Sequence, residues 1–149
     1  MTMRPGKTVV LVGDGQADIR RFIALGLAVR GFEVLEASDA AQVLRLANQN
    51  CVDLALLDVA IPRPDGLHLC QTVRGASQVP IIVMGTIGKD HYRLAAFAVG
   101  AVDYLLKPFG VEELLVTVHA ALRGRTGREL TVVPARRDAQ PQISVNSPA

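Results

Sequence analysis

The chain is poor in several features, and each scarcity removes a class of protein. It has only two cysteines, Cys51 and Cys70. Both sit inside apolar segments and neither has a neighbour at metal-ligand spacing. A cysteine-based metal site is therefore not expected, and two buried free thiols in a reducing cytoplasm are. Charge of one sign is also lacking: 16 basic against 14 acidic residues leave a net charge of +2. Aromatics are 4% of the chain, and no basic stripe interleaved with them appears, so composition makes no case for nucleic-acid binding by this chain alone. No apolar run approaches the roughly 20 residues that a membrane helix requires. The opening segment, Met1 to Lys7, is short and polar and leads straight into a strand, so no signal peptide is expected. There is no internal repeat.

What is present suits one soluble domain. A chain of 149 residues buries about 70% of its unfolded surface on folding, enough for a substantial core. Apolar runs at Thr8–Val12, Phe32–Ala37, Val52–Asp58, Pro80–Met84 and Val102–Leu106 read as strands. Helical periodicity follows each of them. Asp18 is the expected N-cap of the first helix and Gly31 its stop; Ser38 or Asp39 caps the second; Gly75-Ala76-Ser77 ends the third. The fourth is expected over Asp90–Val99, closed by Gly100, and the fifth over Val111–Leu122. Five strand–helix alternations imply right-handed crossovers and a parallel sheet covered on both faces, an α/β fold. From Gly124 prolines and lost periodicity suggest a tail, residues 124–149, disordered in isolation, with Leu130–Val133 a stray strand inside it. The domain is thus expected over residues 1–123.

The chain is organised around Leu54-Ala55-Leu56-Leu57-Asp58 and the Pro62-Arg63-Pro64-Asp65-Gly66 turn behind it. A buried parallel strand delivers one acid to its carboxyl end, where open α/β sheets place their ligands. Asp14 ends the first strand and Lys107-Pro108 the fifth. With strands one, three and five adjacent on one side of the switch point, these ends converge. Two carboxylates and an ammonium around one crevice suit a divalent cation and a phosphoryl group, and oxygen ligands suit Mg²⁺. A carboxylate held there can attack phosphorus to form an acyl phosphate.

These residues carry a resemblance. Leu56-Leu57-Asp58, Ile61-Pro62 with Asp65-Gly66, Val79-Pro80-Ile81-Ile82, and Gly100 to Phe109 with Tyr104 and Lys107-Pro108 inside it occur in the order and spacing of a receiver domain of the bacterial two-component response regulators. Ile19-Arg20-Arg21-Phe22 fits the start of that family's first helix, and the match spans roughly residues 7–123. The resemblance implies a flavodoxin-like, doubly wound five-stranded parallel sheet of strand order 2-1-3-4-5. It implies Asp58 as phospho-acceptor, Lys107 as the phosphate-binding lysine and Tyr104 as the aromatic switch. Asp14, Asp58 and the backbone carbonyl of Ala60 then form the Mg²⁺ shell. A histidine kinase or other phosphodonor protein is the implied partner. Helix four, strand five and helix five are the implied homodimer face, although Thr117 and His119 stand where basic residues are usual. The segment Lys107 to Arg123 is similar to the winged-helix subclass of transcriptional regulators, yet no output domain is expected in the tail.

Two departures qualify the match. The family has two consecutive acids after its first strand; here the segment is Gly13-Asp14-Gly15. Counting back from Ile19-Arg20, Asp14 is the outer acid and Gly15 replaces the inner. With a one-residue insertion near Asp18, Asp14 is the inner acid, the usual direct metal ligand, and Gly13 replaces the outer; this keeps the strand at its usual length and is slightly preferred. The second departure is Gly85, where the family has a Ser or Thr whose hydroxyl bonds the phosphoryl group. Thr86 substitutes for it only if the loop from Gly85 to Gly88 is reshaped, because side chains alternate along a strand. His68, His91 and His119 are expected on the surface. The leading expectation is therefore a signalling module, not an enzyme, switched through Asp58 with Mg²⁺ in the cytoplasm. The alternative is a phosphorylation-independent binding module with a vestigial acid pocket.

Overall fold

The computed structural model describes residues 6–62, 65–86 and 90–126. Ten elements alternate along the chain: β1 Val9–Gly13, α1 Ala17–Ala28, β2 Glu33–Ala37, α2 Ala40–Gln49, β3 Leu54–Asp58, α3 Gly66–Ala76, β4 Ile81–Gly85, α4 Asp90–Ala98, β5 Asp103–Leu106 and α5 Val111–Thr126. The strands form one parallel sheet in the order β2-β1-β3-β4-β5. This is the flavodoxin-like arrangement, with one difference from the expected site layout. Strands one, three and five are not mutual neighbours: β4 lies between β3 and β5, so any group on β5 must reach past the end of β4 to meet β3.

Burial follows from position in the sheet. The inner strands β1, β3 and β4 are buried at every residue, whereas the edge strand β2 is only partly buried. Their unbroken apolar runs are therefore covered on both faces. Strand alternation then sorts the core into two layers. Leu11, Ala55, Leu57, Ile81, Val83 and Tyr104 face one layer with Val43 of α2 and Leu69 and Val73 of α3. Val10, Val12, Leu54, Leu56, Ile82, Met84 and Leu105 face the other with Ile23 and Leu27 of α1 and Leu114 and Val118 of α5. At about 25 cal/mol per Å² of apolar surface, these layers are the main stabilising term.

Several local readings are revised. Asp18 is not the cap of α1. Gln16 occupies that place without a side-chain bond, and Asp18 sits in the first turn with its carboxylate on the Ile19 N–H. Gly31 adopts φ +93° just beyond α1, consistent with its expected role as a stop. Asp39, not Ser38, caps α2 through Gln42 N–H, and Asp65 caps α3 through His68 N–H. Cys70 is buried, and burial pushes its thiol up to about 11. Cys51 is exposed, because it lies between the end of α2 and β3 where neither layer covers it. α5 runs to Thr126, beyond the expected end at residue 122. A single glycine, Gly124, costs a helix only about 1 kcal/mol. From residue 127 the expected tail and its stray strand lie outside the described residues, as does the side chain of His91. His68 and His119 are exposed as expected. No helix among the described residues is long and apolar enough to cross a membrane.

The start of α3 sits against the end of β3. Gly66 N–H donates to Val59 O at 2.9 Å, and a Cβ on Gly66 would lie 2.2 Å from Asp58 O and 2.7 Å from Val59 Cα. These are backbone atoms and cannot swing aside. Gly66→Ala is therefore expected to destabilise the domain by about 2 kcal/mol, the usual scale for overpacking. The measurement is urea unfolding: a lower midpoint at unchanged slope supports the close contact, and an unchanged midpoint refutes it.

Candidate functional site

Among the described residues, three charged side chains are buried in an otherwise apolar interior: Asp14, Asp58 and Lys107. Asp14 directly follows β1, Asp58 ends β3 and Lys107 directly follows β5. Lys107 Nζ lies 2.7 Å from Asp14 Oδ2 and 2.9 Å from Asp58 Oδ1. The lysine reaches both by passing the end of β4, to which it is tied by its own N–H on Gly85 O at 2.7 Å. The second oxygen of each acid is also placed. Asp14 Oδ1 accepts from Gln16 N–H at 2.9 Å, and Asp58 Oδ2 accepts a longer bond from Ala60 N–H at 3.2 Å. The carboxylate of Asp14 thus organises the entry to α1 that no capping side chain serves.

The loop carrying Asp14 is braced by residues to which the sequence reading assigned no role in the site. Arg20 of α1 donates from a guanidinium nitrogen to the backbone oxygen of Asp14 at 2.8 Å and pairs with Glu36 of β2 at 3.2 Å. Arg21 pairs with the other oxygen of Glu36 at 3.0 Å. The available signal was the Ile19-Arg20-Arg21-Phe22 match, which located a helix but not a brace.

Geometry also decides which acid is missing. A side chain at Gly13 would point into the apolar layer, with its Cβ 2.8 Å from Val43 Cγ2, 3.0 Å from Ile61 Cδ1 and 3.1 Å from Leu57 Cδ2. That is no place for a carboxylate. Gly15 is exposed at the crevice rim, and a Cβ there would meet Pro62 Cδ at 3.1 Å. The absent carboxylate is that of position 15, and the reading without an insertion replaces the slightly preferred one. Thr86 is exposed in the bend after β4, and no hydrogen bond among the described residues joins it to the three charged groups. Tyr104 is buried at 5% exposure, and its hydroxyl lies 2.3 Å from where a Cβ on Gly85 would be.

Two carboxylates share one ammonium, so the cluster carries one excess negative charge. Burial works against the Lys107 ammonium, but its bonds to Asp14 and Asp58 outweigh this and raise its pKa above the ordinary lysine value. Burial raises the pKa of the Asp58 carboxyl above 3.8; the Lys107 bond opposes this and the Asp14 charge adds to it. Asp58, the more exposed acid, is where we place the excess charge. Burial, then the charge of Asp58, raises the Tyr104 phenol above its usual range.

The donors are all oxygens, as Mg²⁺ prefers. Asp14 and Asp58 are such donors, but with glycine at position 15 the acid expected to bind the ion directly is absent, and Asp14 stands in the outer place. No group of three or more His, Cys, Asp or Glu able to hold a metal occurs among the described residues.

Removing the ammonium leaves two buried carboxylates facing each other. Lys107→Met is expected to cost about 3 kcal/mol at neutral pH, the scale for breaking a buried ion pair. Less is expected near pH 3, where Asp58, its pKa raised by burial, is protonated. Asp58→Asn is expected to act oppositely. A carboxyl whose folded pKa lies above its unfolded value binds its proton more tightly when folded, so parent stability falls as pH rises from about 3.8 through the raised value. The variant lacks that loss, so its advantage grows across the same window. Urea unfolding between pH 3 and 7 checks both; a pH-independent difference from the parent would contradict the charge assignment.

Comparison with known proteins agrees with this geometry. The family model described as the response regulator receiver domain matches residues 9–119. The chain is 38% identical over 117 residues to the "Probable transcriptional regulator ycf27" of Guillardia theta, covering 78% of this chain and 46% of that protein. It is 36% identical over 119 residues to the "Transcriptional regulatory protein KdpE" of Mycobacterium tuberculosis, covering 80% and 53%. The chain therefore spans about half the length of these relatives. Among solved structures it is similar to the chemotaxis protein CheY4 of Vibrio cholerae, with TM-score 0.76 and 31% identity over 78% of this chain and 100% of that one. It is also similar to NtrX of Brucella abortus, with TM-score 0.77 and 29% identity over 83% and 29%. An acid-ended β3, a lysine bridging two carboxylates, the 2-1-3-4-5 sheet and this family match lead to one conclusion: the chain belongs to the response-regulator receiver domains of two-component signalling.

Proposed function

We propose that this receiver accepts a phosphoryl group on Asp58 from a histidine kinase or another phosphodonor protein. The observation that carries the reading is the Lys107 ammonium, 2.7 Å from Asp14 and 2.9 Å from Asp58. In the transfer, an Asp58 oxygen forms the bond to phosphorus while the bond from phosphorus to the donor breaks, and the donor leaves with the electron pair. Oδ2, held only by the longer Ala60 bond, is the freer oxygen for attack. Lys107 acts as a point charge on the incoming oxygens. Asp58 and the Ala60 carbonyl, with Asp14 in the outer place, would hold Mg²⁺, which when bound supplies further neutralisation of phosphoryl charge. The product adds about −1.5 to −2 charges at pH 7 to this crevice. This makes the domain a signalling module that modifies itself, not an enzyme acting on a separate substrate.

We place this module in a cytoplasmic transcriptional regulator, by analogy with the relatives named above. A homodimer through α4, β5 and α5 is supported by the exposed apolar residues Leu94, Phe97, Val102, Leu106 and Val116. A second reading, a receiver that binds its partner without phosphorylation, is favoured by Gly15 at the place of a metal-binding acid.

Incubation with Mg²⁺ and a small phosphodonor, followed by intact mass measurement, is expected to give a single phosphoryl adduct that Asp58→Ala lacks. Gly15→Asp, which adds a rim carboxylate, is expected to tighten Mg²⁺ about tenfold, or about 1.4 kcal/mol. No adduct with either a small donor or a kinase would sink the phospho-acceptor reading in favour of the second.

A further inference from the structure

The place where a side chain at position 85 would stand is already filled. A Cβ built on Gly85 lies 2.3 Å from the Tyr104 hydroxyl oxygen, 3.3 Å from Tyr104 Cζ and 2.9 Å from Val59 Cγ1. None of these distances is tolerable or comfortable for a real Cβ. Tyr104 belongs to the layer of Ile81 and Val83, the β4 residues whose alternation Gly85 continues. Tyrosine and glycine therefore share one face of neighbouring strands, with Gly85 paired beside Leu106. The ring is 5% exposed.

We propose that Gly85 and Tyr104 form a packing lock: the tyrosine hydroxyl takes the space of the absent side chain, and this holds the ring inside the sheet–α4 layer whether or not Asp58 is modified. The lock lies on the chain's own packing. A residue with a side chain at position 85 could share this space with the ring only if one of them moved. With glycine there is no such competition, and the inward ring is the packed state. The exposed residues of the same two elements, Leu94 and Phe97 on α4 and Leu106 on β5, then present one surface before and after any event at Asp58. A charge added in the crevice then has no side chain at position 85 through which to act on the ring. The acceptor reading of Asp58 enters only where a phosphoryl mimic is used, so the two ideas can fail separately.

The chain has two tyrosines and no tryptophan, which makes the test clean. Tyr92→Phe protein labelled with 3-fluorotyrosine carries one ¹⁹F probe, at Tyr104. Its resonance is expected to be single and almost insensitive to exchanging H₂O for D₂O. Adding Mg²⁺ and beryllofluoride is expected to leave that insensitivity unchanged. A solvent-sensitive resonance in the unmodified protein, or one that becomes protected only with beryllofluoride, overturns the lock. Absence of bound beryllofluoride counts against Asp58 as acceptor, while ring protection without the mimic still decides the lock. Stability gives a second measurement. Gly85→Ala is expected to lower the urea midpoint, and at least half of that drop is expected to vanish in a Tyr104→Phe background, where the colliding oxygen is gone. Additive effects of the two substitutions would also overturn the proposal.

Discussion

The contact on which the crevice depends is the Lys107 ammonium held between Asp14 and Asp58. Any one of these charges alone would be costly in so apolar an interior. Together they satisfy each other, and the remaining oxygens are taken by Gln16 and Ala60 N–H groups. The contact also fixes relations between parts of the sheet. It joins the carboxyl ends of β1, β3 and β5, with β4 between the last two. Neighbouring strands are about 4.8 Å apart, so the long lysine stem is what lets β5 act at β3.

Around this contact, three glycines do different physical work. Gly66 allows α3 to begin against the backbone of Asp58 and Val59, which keeps the end of β3 tightly turned. Gly15 leaves the rim of the crevice without a carboxylate. Gly85 leaves room for the Tyr104 hydroxyl. None of the three has a left-handed backbone; positive φ occurs among the described residues at Gly6, Gly31 and Gly100. Their common property is the absence of a Cβ, not conformational freedom.

Much of this was legible from residue pattern. Long apolar runs ending in acids marked β1 and β3, because inner parallel strands are buried on both faces and tolerate polar groups only at their ends. The spacing of Asp58, Asp65-Gly66 and Lys107-Pro108 marked the crevice. What failed depended on neighbours distant in sequence. Asp18 looked like a cap, but Asp14 already serves the Gln16 N–H, so the helix begins earlier. Cys51 looked buried because its sequence neighbours are apolar, yet its place between α2 and β3 leaves it exposed. Arg20 and Glu36 meet only when α1 packs beside β2.

The sequence by itself determined the alternation of strands and helices, the family, and which acid and which lysine would meet. The alternation follows from periodicity and local turn chemistry; the family and the roles of that acid and lysine follow from the resemblance their motifs carry. Only the tertiary structure decided which of two glycines stands for the missing acid, since that turns on whether a side chain would enter the Val43–Ile61 layer or the open rim. It alone also placed the Tyr104 hydroxyl in the space left by Gly85. Residues 85 and 104 are far apart in the chain and share that volume only because β4 and β5 lie side by side.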